Sequence, residues 1–160
     1  KRCLGFEMEV LVYDPFVEKK IIENYGGKKI NELNEGFRSA DILSLCVPLT
    51  KLTYNMINLE KMKMMKKTSI VINTSRGGVV NEKDLNEALN KKIIYGAGLD
   101  VFEKEPPDDD NPLLKNEKVL LSPHAATFTK ECTSKMAVQT AQNIIDFFDN
   151  KLDKSMVIKL

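Results

Sequence analysis

The chain has 160 residues, of which 42% are hydrophobic and 29% charged, and its formal net charge is +1. This length accommodates one globular domain or part of a larger protein, and the balanced charge argues against nucleic acid or an anionic membrane as a partner. There is no apolar run approaching the ~18 residues of a membrane span, and no signal-peptide pattern. Three cysteines without close spacing argue against a disulfide framework and a zinc site, so we expect a cytoplasmic protein without a metal.

Short apolar runs alternate with helical patterns along the chain. The first six residues resemble the last turn of a helix with Gly5 as its C′ residue, which suggests a truncated polypeptide. The apolar runs predict strands over residues 9–13, 28–30, 42–47, 69–73, 93–99 and 118–121. Helices are predicted over residues 15–25, 31–38 and 58–66, after the N-cap Asn81, and over 130–150 after Thr129. Nearly continuous apolar strands between helices predict a doubly wound, mostly parallel α/β sheet of the Rossmann-like class.

Polar or conformationally special residues follow five of the predicted strands. Ligands of open α/β sheets bind beyond the carboxyl ends of the strands, and we expect these residues along the same edge of one sheet. Together they predict a binding site. The residues are Asp14-Pro15, Pro48-Leu49-Thr50, the segment 74–78 (TSRGG), Asp100, and Ser122-Pro123-His124.

Four side chains have the chemistry for a binding or catalytic role, and for each of them a purely structural role is the alternative. Asp14 can accept hydrogen bonds from the ribose hydroxyls of an adenosine, or it can cap the helix before Pro15. Arg76 offers a bidentate fork for a carboxylate, although a lone arginine is more often part of a surface ion pair. His124, the only histidine, can exchange a proton with a carbonyl or alcohol, although an isolated loop histidine is more often structural. Glu105 can orient a histidine, or it can be a solvated charge in an acidic loop.

Three ordered segments, INTSRGGVVN at 72–81, GAGLDVFEKEP at 96–106 and SPH at 122–124, resemble the D-isomer-specific 2-hydroxyacid dehydrogenase family. Residues 12–15 and 47–50 fit as well, so the resemblance covers essentially the whole chain. It implies NAD as cofactor and a 2-keto acid or D-2-hydroxyacid as the small-molecule substrate. It further implies that Arg76 binds the substrate carboxylate, His124 is the acid/base, and Glu105 is the partner of His124.

The resemblance also implies four cofactor-binding residues. Asp14 would hold the adenosine ribose and favour NAD over NADP, because a carboxylate repels a 2′-phosphate. Pro48 would line the cofactor cleft, largely through its backbone, and Thr74 would bind the cofactor beside it. Asp100 would contact the carboxamide region of the nicotinamide.

The chain departs from the family pattern in two ways. The first strand with its Gly-x-Gly-x-x-Gly loop would precede Lys1, and the N-terminal substrate domain is absent. The resemblance therefore implies an incomplete NAD-binding domain over residues 1–125. Residues 126–160 would be a helix and a tail, with an apolar segment at 156–158, that return to the substrate domain. We expect the chain alone to bind NAD weakly and to have negligible activity. We expect the whole protein to be a homodimer.

Several alternatives remain open from the sequence. Glyoxylate, hydroxypyruvate and 3-phosphoglycerate-type substrates all fit, because side-chain specificity would lie mostly in the substrate domain. Formate is disfavoured, since Glu105 stands where the formate dehydrogenase branch has glutamine. A non-catalytic, NAD-sensing binding module similar to the C-terminal-binding-protein corepressors is the alternative function, because those proteins keep the same arginine, glutamate and histidine.

Overall fold

A computed structural model of the chain describes residues 1–153 and residue 157. Of the apolar tail segment predicted at 156–158, only Val157 lies within the described residues. The elements in chain order are α1 (Arg2–Gly5), β1 (Leu11–Val12), α2 (Lys19–Asn24), β2 (Lys28–Lys29), α3 (Leu33–Ser39), β3 (Ile42–Leu45), α4 (Leu59–Met62), β4 (Ile70–Asn73), α5 (Glu82–Asn90), β5 (Gly96–Leu99), a 3₁₀ helix (Pro112–Lys115), β6 (Val119–Leu121) and α6 (Lys130–Phe148).

The chain divides into two compact units, Lys1–His124 and Ala125–Leu160. The first unit contains every named strand, and the second contains α6. The helix α6 begins where predicted, because the hydroxyl of Thr129 accepts a hydrogen bond from the Cys132 amide at 3.1 Å. No residue of α6 is buried, and its apolar side chains, among them Phe148, are exposed.

All strand pairs are parallel, which confirms the α/β class, but the strands form two sheets and not one. The first sheet contains only β1 and β2, paired over two residues each. The second has the order β3-β4-β5-β6. The expectation of a single edge for all the strand-end residues is therefore wrong for Asp14, because β1 hydrogen-bonds to β2 and not to the four-stranded ladder.

The register of the four-stranded sheet aligns its carboxyl ends. The last paired row contains Leu45, Asn73, Leu99 and Leu121, one residue from each strand. The residue that follows in each strand stands at the same edge of the sheet: Cys46, Thr74, Asp100 and Ser122. Parallel pairing thus gathers polar groups that are far apart in the chain.

One face of this sheet packs on α4, α5 and the 3₁₀ helix and forms the core. Fully burying an aliphatic side chain contributes on the order of 1.5–3 kcal/mol to the stability of the fold. Because the buried side chains belong to the strands themselves, this packing also fixes the position of the strand ends. The core includes Leu45, Val71, Leu99, Met62, Leu85, Leu89 and Leu113.

The predicted N-cap of α5 is confirmed. The side chain of Asn81 accepts a hydrogen bond from the Asp84 amide at 2.9 Å. Asp84 in turn accepts one from the Leu59 amide at 2.9 Å, so the first turns of α4 and α5 are joined. These bonds satisfy amides that a helix N-terminus leaves without partners.

Several predicted helix boundaries are wrong; the helix predicted over 58–66, for example, ends at Met62. Two of the differences have a local cause. The helix predicted over 15–25 begins only at Lys19, because Asp14 Oδ1 accepts hydrogen bonds from the amides of Phe16 and Val17, at 2.9 and 3.2 Å, and forms a turn. Gly5 is the last residue of α1 and not its left-handed C′ residue. Glu7 has that conformation, with a φ of 58°.

No helix in residues 1–153 has the length and apolar character needed to cross a membrane. The same part of the chain contains no group of three or more histidine, cysteine, aspartate or glutamate side chains that could hold a metal ion.

Candidate active site

The ends of β3 and β4 border an open cleft of about 680 Å³. Three of the predicted site residues, Pro48, Thr74 and Arg76, line it together with apolar side chains such as Val47. The cleft lies at the carboxyl edge of a parallel sheet, where ligands of α/β proteins bind. An apolar wall beside a polar turn is suited to a planar aromatic ring with polar substituents.

Arg76 is exposed at the rim of this cleft. Its Nη1 donates a hydrogen bond to the backbone carbonyl of Ser75 at 2.6 Å. A guanidinium has five N–H donors, so this single bond leaves donors that can form a bidentate contact with a carboxylate.

His124 and Glu105 form a hydrogen-bonded pair, with 2.7 Å between Nδ1 and Oε2. Nδ1 donates to the carboxylate, which leaves Nε2 as the nitrogen that can exchange a proton with a ligand. Glu105 Oε1 accepts a second hydrogen bond, at 3.0 Å, from the Phe102 amide. These contacts, that with His124 first, hold the pKa of the Glu105 carboxyl below its usual value, so the group stays ionised.

Asp100 is buried at the end of β5, with 3% of its surface exposed. Its Oδ1 accepts a hydrogen bond from the Ser122 hydroxyl at 2.5 Å, and its amide donates to the Asn73 carbonyl at 2.9 Å. Asp100 therefore joins the ends of three neighbouring strands, β4, β5 and β6.

Asp14 lies apart from these groups in the hydrogen-bond pattern. It is half-buried after β1, and its side chain accepts hydrogen bonds from the amides of its own turn, at Phe16 and Val17. Among the described residues, no hydrogen bond connects it to the cleft or to the Glu105–His124 pair. The structure thus gathers three predicted residues in one cleft and pairs two others, and it places Asp14 beside a different strand pair.

Two residues matter for this geometry in ways that the sequence did not predict: Asn73 was not among the predicted site residues, and Gly77 was predicted only as part of the segment 74–78. Asn73 has 1% exposure, and its side chain forms hydrogen bonds within the turn that leads to Arg76. Gly77 lies so close to the next loop that a Cβ would be 1.7 Å from the Phe102 carbonyl oxygen. Only the polarity of Asn73 at the end of an apolar strand, and the Gly pair itself, signalled these roles.

Comparison with known proteins identifies the family. Residues 1–126 match the model of the D-isomer specific 2-hydroxyacid dehydrogenase, NAD binding domain. The chain belongs to this family. Because the matched part is its NAD-binding domain, NAD is the cofactor of this domain, and the position of the cleft at the carboxyl edge of the sheet agrees with that assignment.

Individual members of the dehydrogenase family are similar over most of the chain. A glyoxylate reductase of Korarchaeum cryptofilum is 44% identical over 157 residues, which are 98% of this chain and 47% of that protein. A D-3-phosphoglycerate dehydrogenase of Methanocaldococcus jannaschii is 38% identical over 98% of this chain and 30% of that protein. The crystal structure of a D-lactate dehydrogenase from Aquifex aeolicus, complexed with NAD and lactic acid, superposes with a TM-score of 0.80 at 32% identity, over 92% of this chain and 48% of that one. The chain thus spans half or less of these relatives.

Proposed function

We propose that the full-length protein containing this chain transfers hydride between NAD(H) and a D-2-hydroxyacid/2-keto acid pair. The observation that carries this proposal is the His124–Glu105 pair, with 2.7 Å between Nδ1 and Oε2. It is an ionised carboxylate bound to the one imidazole of the chain. Such a pair can supply and accept the proton that carbonyl reduction and alcohol oxidation both require.

The proposed proton transfer uses Nε2 of His124. In the direction of reduction, the protonated imidazole donates its Nε2 proton to the carbonyl oxygen of the keto acid. NADH, when bound, supplies the hydride that reaches the carbonyl carbon. Glu105 keeps Nδ1 protonated and balances the charge of the imidazolium. In the direction of oxidation, the neutral Nε2 accepts the hydroxyl proton instead.

We assign the remaining predicted site residues to substrate and cofactor. Arg76 binds the substrate carboxylate through its guanidinium, which directs the carbonyl carbon into the cleft. Pro48 and Thr74 border the part of the cleft that takes the nicotinamide end of NAD, and Asp100 provides a carboxylate at the same edge. Asp14, with Oδ1 engaged by its own turn, offers Oδ2 to a ribose hydroxyl.

For the substrate we propose a small 2-keto acid such as glyoxylate, with 3-phosphoglycerate as the second candidate. The relatives named above, which share 44% and 38% identity with the chain, support these two classes. We also propose that residues 1–125 act as the NAD-binding part and that residues 126–160 return to a substrate domain.

We further propose that the protein is a cytoplasmic homodimer without nucleic-acid or membrane partners. The net charge of +1 and the absence of a membrane-spanning helix among the described residues support this partner class. The exposed apolar residues of α6, such as Ile144, Ile145 and Phe148, support association with another surface.

The test is turnover of glyoxylate, hydroxypyruvate and 3-phosphohydroxypyruvate by the full-length protein with NADH. His124→Asn should lower kcat about 10²–10⁴-fold because the proton donor is lost, whereas Asn tolerates the positive φ of 51° at this position. Glu7→Asn, a substitution at another positive φ, of 58°, should leave turnover unchanged. Tight NADH binding without turnover of any keto acid would contradict the proposal and favour the non-catalytic NAD-sensing module.

The 160-residue chain by itself should bind NAD weakly. It contains no Gly-x-Gly-x-x-Gly sequence, so it lacks the backbone amides that hold a pyrophosphate at a helix N-terminus. Isothermal titration of the isolated chain against NAD measures this affinity, and tight binding would refute the expectation.

A further inference from the structure

Asn73 places an amide side chain in the last row of the sheet, between Leu45 and Leu99. Only 1% of its surface is exposed, and its neighbours in the row belong to the apolar core. Burying an amide is unfavourable unless its polar atoms have hydrogen-bond partners. The partners of this side chain therefore indicate what the residue does.

The side chain of Asn73 forms its hydrogen bonds with the turn that follows it. Oδ1 accepts one bond from the Ser75 amide at 3.0 Å and another from the Ser75 hydroxyl at 2.8 Å. Nδ2 donates a third bond to the Arg76 carbonyl at 2.9 Å. One side chain thus binds the turn at two successive residues, as the acceptor of two bonds from Ser75 and the donor of one to Arg76.

These bonds connect Arg76 to the sheet. The backbone carbonyl of Asn73 accepts the Asp100 amide at 2.9 Å, which anchors Asn73 to the neighbouring strand. Its side chain then holds the Arg76 carbonyl, while the Arg76 guanidinium donates to the Ser75 carbonyl at 2.6 Å. Both the backbone and the guanidinium of Arg76 are therefore hydrogen-bonded within the turn that the Asn73 side chain holds together.

We propose that Asn73 is a positioning residue, which sets the place of the Arg76 guanidinium at the rim of the cleft. Its role in catalysis rests on the proposed function of Arg76 as the site for the substrate carboxylate. Asparagine suits the position because its amide provides both an acceptor and a donor. Aspartate has the same shape and keeps the acceptor, but it would face the Arg76 carbonyl with a second oxygen.

The experiment compares Asn73→Asp and Ser75→Ala in the full-length protein, alone and combined with Arg76→Lys. Asn73→Asp should lower kcat/KM for glyoxylate about tenfold, because the bond to the Arg76 carbonyl is replaced by two opposed oxygens. Ser75→Ala should lower it about threefold, because it removes only the hydroxyl bond to Asn73. NADH affinity should stay within about twofold of the wild type, and each substitution should change the Arg76→Lys background by less than about twofold, because its effect passes through Arg76. Asn116→Asp is the matched control, because Asn116 also donates to a side chain, that of Asn86, and lies outside the cleft.

Nuclear magnetic resonance supplies a readout that does not depend on activity. The Arg76 Nε–H resonance should shift in Asn73→Asp, which loses the donor to the Arg76 carbonyl. Hydrogen exchange of the Ser75 amide should accelerate about tenfold in Asn73→Ala, which removes the acceptor of that amide, while Asn116→Asp changes neither readout. If Asn73→Asp does not fold, the same measurements on Ser75→Ala test whether the turn positions Arg76.

Effects on kcat/KM that simply add to those of Arg76→Lys would overturn the proposal, as would an unchanged Arg76 resonance in both turn variants. If the wild-type protein reduces no 2-keto acid, the proposed function fails, and the exchange rate and the resonance then decide the role of Asn73 by themselves.

Discussion

Gly77 lies where the turn after β4 meets the loop after β5, and Gly77→Ala tests whether this contact sets the geometry of the site. An alanine Cβ would lie 1.7 Å from the Phe102 carbonyl oxygen and 2.6 Å from the Glu103 amide nitrogen. Contacts of Cβ atoms below 3.0 Å essentially do not occur, and both neighbours are backbone atoms. The two segments must therefore separate by about 1 Å or more.

This separation acts directly on the proposed catalytic pair. The Phe102 amide donates to Glu105 Oε1 at 3.0 Å, and Glu105 Oε2 holds His124. Displacing Phe102 thus moves the pair relative to Arg76, which precedes Gly77 in the chain. A misplacement of about 1 Å costs on the order of 100-fold in rate, and overpacking costs about 1–3 kcal/mol in the free energy of unfolding.

The assay is kcat/KM for glyoxylate in the full-length protein, together with urea unfolding of the same variant. Gly5→Ala is the control, because no atom lies within 4 Å of the added Cβ and the residue is the exposed end of a helix. We expect a loss of about 100-fold for Gly77→Ala and no loss for Gly5→Ala. A folded Gly77→Ala protein with kcat/KM within about twofold of the wild type would refute the reasoning.

Two further predictions concern stability. Asn81→Ala should lower the free energy of unfolding by about 1 kcal/mol, because the Asp84 amide loses the side-chain oxygen that caps it at 2.9 Å. Urea unfolding of the chain measures this loss. The control is Asn90→Ala at the far end of the same helix, and a loss for Asn81→Ala no larger than for this control would contradict the prediction. The pKa of Glu105 is lowered by His124 and the Phe102 amide, so its pairing stabilises the fold above the pKa of the unfolded carboxyl, about 4.3, and that stabilisation is lost as the pH falls through the lower folded value. The difference in unfolding free energy between wild type and Glu105→Gln should therefore shrink as the pH falls below about 4.3, and a difference that grows over this range would show the sign to be wrong.

The sequence predicts the local features well, since each depends on residues that are near one another in the chain. The alternation of apolar runs and helical patterns indicated the α/β class, and Asn81 and Thr129 were predicted as caps. The helix predicted from residue 15 was wrong because the Asp14 side chain competes for the amides that would begin it. A turn and a helix compete here for the same amides, and the small energy difference between them cannot be read from the order of apolar and polar residues.

The sequence by itself determined which chemical groups the protein has, and three ordered motifs determined its family. Only the tertiary structure decided which of these groups meet. The parallel register brings Asp100 to Ser122, and the loop after β5 brings Glu105 within 2.7 Å of His124, although 19 residues separate the pair in the chain. The division into two sheets, which sets Asp14 apart, is likewise absent from the local pattern. Pairing between distant strands depends on the packing of the whole core, and for that reason no local signal contains it.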